Sequence, residues 1–263
     1  MSLYPRVVLL IATFIAACSP SLEAQNVPQK EQTQLLTTAR SQYYNLRAAG
    51  LKGFSCNASV DWDALFTSIN GKTPPADDPM VQYLQGSHLS VTSDLGSHPN
   101  ISWVSAGTPP KDREQNANQL VDGLKQTLDG FFQSWMPSLN GTLITLTPSS
   151  VKATATGYVI VDGASKAIDE LTLDKKLVIH HLSTTSAKIN GELDTTYTPS
   201  AKGLLLTKLD GTYQGSADGP ATHVTMSATF QPVESFQLPD SLTFVVANVA
   251  TFKMRLVDCT VQK

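Results

Sequence analysis

From Leu143 to the C-terminus the chain is a series of short runs in which Thr, Val, Ile, Tyr and Phe alternate with polar residues. A period of two puts one face of each run in a core and the other in water, which is the signature of half-buried strands. The alternation predicts strands at Leu143–Thr147, Val151–Val161, Ile168–Asp174, Leu177–Thr184, Ser186–Thr198, Leu204–Gln214, Thr222–Pro232, Gln237–Val246 and Phe252–Gln262. Breaks fall at Asp162-Gly163, Pro199–Gly203, Gly215–Pro220 and near Pro239-Asp240. Consecutive strands joined by short turns pair as an antiparallel meander.

The first half reads differently. Gln29–Ala49 has Leu35, Ala39, Tyr43 and Leu46 near helical spacing, with Gly50 as a stop. Gly53–Val60 reads as a short strand, and Asp61 as the cap of a helix holding Trp62, Leu65, Phe66 and Ile69. Pro79–Gly86 adds one or two helical turns, and His88–Asp94 with Asn100–Ser105 forms a hairpin. Arg113–Trp135 carries the broadest apolar stripe: Leu120, Val121, Leu124, Leu128, Phe131, Phe132 and Trp135, ended by Pro137. Such a stripe needs a surface to bury against, and the meander supplies it. The expected fold is α+β: one large curved antiparallel sheet, an incomplete β-barrel, with the N-terminal and mid-chain helices on its concave face.

In order and local texture the chain resembles the LolA/LolB-like superfamily of periplasmic lipoprotein carriers. The likeness rests on the Gln29–Ala49 helix leading into a strand, Leu171–Ile179 (LTLDKKLVI), Gly203–Tyr213 (GLLLTKLDGTY), the step through Gln237-Leu238-Pro239-Asp240-Ser241-Leu242, and the closing strand Phe252–Val261. It spans most of residues 29–263 and implies an incomplete barrel, with helices as a lid over an apolar cavity for acyl chains. Asp61–Arg113 is longer and more helical than in the simplest members of that group.

The N-terminus reads as an export signal. Arg6 precedes an apolar run, Val7–Ala17, that is too short to cross a hydrocarbon core of about 20 residues. Ile15-Ala16-Ala17-Cys18 fits the lipoprotein-processing pattern, with Cys18 acylated and the chain held to a membrane; Ser19 after it points to the outer membrane. The other reading cuts after Ala24 and discards Cys18. Residues 1–24 are then the signal with its tether, and 25–263 a single carrier-like domain in the bacterial periplasm. With Cys18 lipidated or removed, Cys56 and Cys259 remain, and an oxidising compartment favours a disulfide between them over two buried thiols. In the chain-entropy model so long a loop contributes about 4–5 kcal/mol.

Charged residues make up only 16% of the chain and the formal net charge is -3, so no basic stripe invites nucleic acid. His180 and His181 would point to opposite faces of a strand, and His88, His98 and His223 stand apart, so no metal or other cofactor is implied. There is no G-x-S-x-G elbow or S-x-x-K set. Asp61 and Asp63 flank Trp62, but a spacing of two turns them apart, and capping is the job expected of Asp61. The Asn-x-Ser/Thr triplets at Asn57, Asn100 and Asn140 are chance matches in a bacterial host.

The expectation is therefore a non-enzymatic envelope protein that holds a lipid, acyl chain or other hydrophobic ligand between sheet and helices. Leu124, Leu128, Phe131, Phe132 and Trp135 are the first cavity candidates, with Trp62, Phe66 and Trp103 behind them. Its partners would be a lipid or acylated protein and other envelope proteins, with membrane contact through acylated Cys18. The alternative is a structural or scaffolding lipoprotein with a filled core.

Overall fold

The structure is a computed structural model and describes residues 25–162, 170–185, 190–214, 220–247 and 249–263. The expected signal segment with Cys18 lies outside these residues, as do the expected strand residues 168–169 and 186–189.

Thirteen strands form one antiparallel sheet that does not close into a barrel. In chain order, β1 is Gln25–Asn26, α1 Gln29–Ser41, β2 Gly53–Val60, α2 Trp62–Asn70, α3 Pro79–Gln85, β3 His88–Ser93 and β4 Asn100–Val104. Next come α4, Glu114–Leu139, then β5 Ser150–Ala153, β6 Gly157–Val161, β7 Glu170–Asp174, β8 Ile179–Thr185 and β9 Asn190–Ser200. The last four strands are β10 Gly203–Gln214, β11 Thr222–Val233, β12 Phe236–Val246 and β13 Ala250–Gln262. From β5 to β13 each strand pairs with the next; β13 then pairs with β2, which leads on to β3 and β4.

The sheet is curved, as the contacts of α4 require. Trp135 reaches Leu206 on β10, and Phe132, three residues earlier on α4, meets Phe54 on β2, four strand steps away. Laid flat, four steps at about 4.8 Å span roughly 19 Å, well beyond the 10–12 Å diameter of a helix, while three residues rise only about 4.5 Å along its axis. Side chains one turn apart can reach both strands only if the sheet wraps around the helix.

The expected cap at Asp61 is present, and two further helix-end features accompany it. Asp61 caps α2, its carboxylate accepting from the Ala64 N–H at 3.0 Å, and Gly71 ends that helix in the left-handed conformation. Asp78 caps α3, with Pro79 at the first helical position. Other expectations need correction. The helix expected over Gln29–Ala49 stops at Ser41. Pro137 does not end α4, which runs on to Leu139, because Asn140 N–H still reaches the Met136 carbonyl at 2.9 Å. Leu143–Thr147 is not a strand, and Val151–Val161 is two strands turned at Thr154–Gly157.

Pro239 is no break either, since β12 runs through it. A proline cannot donate to a ladder, and this one sits where little is asked of it. It faces Phe230 across a register shift after Ala228, and pairing of β12 with β13 begins only at Ser241.

Cys56 on β2 and Cys259 on β13 form a disulfide between neighbouring strands, with Cα atoms 4.2 Å apart. The register shifts between Val257 and Thr260, and Asp258 has a positive φ of 52°, so the bond spans a bulge. It closes a loop of 203 residues. Replacing both cysteines by serine is expected to cost about 2–5 kcal/mol of stability, read as a lower urea midpoint, with a steeper slope as the unfolded chain loses its cross-link and exposes more surface.

Candidate functional site

The cavity candidates divide into two packed groups. Leu124, Leu128, Phe131, Phe132 and Trp135 lie on one face of α4, and Leu128 and the three aromatic residues have no exposed surface. Their rings touch protein: Phe131 stacks on Trp135 at 4.5 Å and meets Phe244 at 6.1 Å, while Phe132 meets Phe54 at 6.0 Å. The Trp135 indole N–H donates to the Leu206 carbonyl at 2.9 Å, so its polar atom is satisfied as well. Trp62 stacks on Phe66 and meets Trp103 edge-on; Phe66 and Trp103 are half-buried. The Trp103 indole donates to the Tyr83 hydroxyl at 3.0 Å.

A cleft of about 610 Å³ opens elsewhere, at the C-terminal end of α1. It is walled by Thr37, Arg40 and Ser41 of α1, by Tyr43, Tyr44, Asn45, Ala48 and Ala49 just after it, and by Leu146 and Lys202. None of the eight cavity candidates lines it. The wall exists because α1 stops early. Leu204 holds the chain there: its N–H donates to the Gln42 carbonyl at 2.8 Å, and its carbonyl accepts from Tyr44 N–H at 3.0 Å. Gly203 makes that approach feasible. Its φ is +119°, and a Cβ there would lie 2.8 Å from the Tyr44 nitrogen.

Both tyrosines are buried, and their hydroxyls point away from α1 into the sheet. Tyr43 donates to the Leu177 carbonyl and accepts from Ile179 N–H at 2.7 Å; Tyr44 accepts from Gln237 N–H at 2.9 Å. Burial pushes both phenols above their ordinary pKa, so they stay neutral. Arg40 is half-buried, and it also borders a void of about 10 Å³ beside Ser138 and Ile179, room for about one water.

A charged lattice lies on the outer face of the sheet. His181 bridges two carboxylates, Nδ1 to Asp194 at 2.8 Å and Nε2 to Glu192 at 2.7 Å. An imidazole can donate at both nitrogens only when protonated. Burial works against that charge, but the hydrogen bonds to Asp194 and Glu192 outweigh it and hold His181 above the ordinary histidine value. Two strands along, hydrogen bonds from Lys208 and Thr225 hold the Asp210 carboxyl down at about 2, and His223 lies 3.1 Å from it. Among the described residues no set of three His, Cys, Asp or Glu side chains is placed to hold a metal ion, and no helix is long and apolar enough to cross a membrane.

Sequence reasoning missed Arg40, Tyr43, Tyr44 and Lys202 as a group. The one available signal was the adjacent Tyr43-Tyr44 pair, which calls for buried surroundings on two sides of a helix that has one apolar stripe. Comparison with known proteins returns no matching family model, no matching curated protein and no matching solved structure.

Two outcomes follow from this geometry. Gly203→Ala is expected to destabilise the fold by about 1–3 kcal/mol through strain and the clash with residues 42–44, measured by chemical unfolding. For His181, a folded pKa above the unfolded value of about 6.5 gives stability that is complete below that value and fades as pH rises through the folded pKa. His181→Gln is therefore expected to lower the melting temperature more near pH 6 than near pH 9.

Proposed function

We propose that this chain is an exported cell-envelope binding protein that takes an amphiphilic or hydrophobic ligand in the cleft beside α1, with the aromatic face of α4 serving as its structural core. The observation that carries this reading is the cleft itself. Its volume of about 610 Å³ falls in the range of about 300–1,000 Å³ common to small-molecule sites. Leu146, Ala48 and Ala49 give it an apolar wall, and Leu146 is 45% exposed there. Each methylene buried there would contribute about 0.8 kcal/mol.

Export is supported by the Val7–Ala17 run ending at Cys18, and by a disulfide that suits an oxidising compartment. The resemblance to LolA/LolB-like carriers agrees with an open sheet wrapped on a helix. In such a protein the acyl anchor at Cys18 would hold the domain at the outer membrane, within reach of lipids and acylated proteins. The reading calls on no catalytic step.

A scaffold with a filled interior is the second reading. It is favoured by the complete burial of Phe131, Phe132 and Trp135 against their neighbours.

The two separate in one titration. Protein exported to a bacterial periplasm and purified without detergent is mixed with the neutral apolar dye N-phenyl-1-naphthylamine. Saturable fluorescence that Ala48→Trp removes is the expected result, because Ala48 is exposed and a bulky ring there fills the cleft without touching the core. No saturable signal from the unaltered protein would favour the scaffold, and a signal indifferent to Ala48→Trp would move the ligand out of the cleft.

A further inference from the structure

We infer that the cleft selects amphiphiles that end in an oxyanion, a single aliphatic chain with a carboxylate-type head, and that Arg40 and Lys202 receive that head. The inference rests on the binding reading above and adds the class of ligand.

The lining is the first ground. It holds two cations and no acidic residue, in a chain whose net charge is -3. The second ground is the supply of donors. Thr37 donates its hydroxyl to the Thr33 carbonyl at 2.7 Å, and Ser41 to the Thr38 carbonyl at 2.8 Å. The tyrosine hydroxyls are engaged in the sheet, and the Asn45 side-chain oxygen accepts from Ala48 N–H. What remains to offer protons is the Arg40 guanidinium, the Lys202 ammonium and the Asn45 amide nitrogen. A site whose unengaged protons sit mostly on cations suits a group that carries negative charge and accepts several hydrogen bonds, which describes an oxyanion better than an alcohol or a sugar.

The state of Arg40 is the third ground. Among the described residues, Arg113 pairs with Asp78, Arg255 with Asp240, and Arg47 donates to the Leu95 carbonyl. Arg40 is half-buried beside the cleft with no carboxylate within salt-bridge distance among those residues. Lys202 gives one proton to the Ser235 carbonyl and keeps two. Arg40 also sits in the last turn of α1, where a cation offsets the helix dipole. A lysine at position 40 would keep that offset and lose the two-pronged grip on a carboxylate.

The test displaces bound N-phenyl-1-naphthylamine from the full exported protein with laurate, with lauryl alcohol and with acetate. Laurate is expected to act at a concentration at least tenfold below that of lauryl alcohol, and acetate to leave the dye in place. In the Arg40→Gln, Lys202→Gln double variant the preference for laurate is expected to fall below twofold while dye binding persists; Arg40→Lys is expected to lose part of it. An unchanged urea midpoint reports that the variants are folded. Equal competition by laurate and lauryl alcohol, or a preference that survives in the double variant, overturns the head-group assignment and leaves the cleft reading standing. Displacement by acetate as effective as by laurate overturns the amphiphile in favour of a bare anion site. No dye or laurate binding to the unaltered protein overturns both readings together.

Discussion

The burial of α4 is the interaction on which everything else rests. A 26-residue helix with ten buried positions is enclosed by strands from both halves of the chain. Two of its three aromatic rings meet rings from different strands, Phe132 with Phe54 on β2 and Phe131 with Phe244 on β12, and the third, Trp135, donates to the Leu206 carbonyl on β10. Removing a ring of this kind from a close-packed core typically costs about 3–5 kcal/mol, a large part of the stability of a whole domain. The curvature of the sheet and the contact of α4 with both β10 and β4 go with wrapping that helix.

Because α4 fills the concave interior, the open space lies at the margin. The cleft lies where α1 stops and the chain folds down onto Leu204. Its walls are held by backbone hydrogen bonds and by two buried phenols, not by the aromatic cluster. The cleft and the aromatic core are thus built from different residues, and the cleft is free of the constraint that a core imposes on volume.

How much of this was legible depends on the range of the interactions involved. The bounds of β2, the cap at Asp61 and the stripe on α4 follow from neighbouring residues, so periodicity and capping chemistry reveal them. The disulfide was legible through the even count of remaining cysteines. The end of α1 was not, because Leu35, Ala39, Tyr43 and Leu46 continue a helical rhythm. What stops the helix is Leu204, 160 positions further on, with Gly203 allowing the approach. The cleft was hidden for the same reason. Arg40 and Lys202 are far apart in the chain, and nothing near either one announces the other. Pro239 misled in the opposite direction: it reads as a break, yet a bulge in its own strand accommodates it.

The position of β13 shapes how such a chain can reach its native state. Although β13 follows all the other strands in the sequence, it is not an edge; it lies between β12 and β2, and through β2 it carries β3 and β4. Without it, β2, β3 and β4 would share no ladder hydrogen bonds with the rest of the sheet. Closing the seam between β13 and β2 joins partners about 200 residues apart, the kind of non-local pairing that makes folding slow. The disulfide joins the two strands of that seam, so once made it holds this non-local pairing in place.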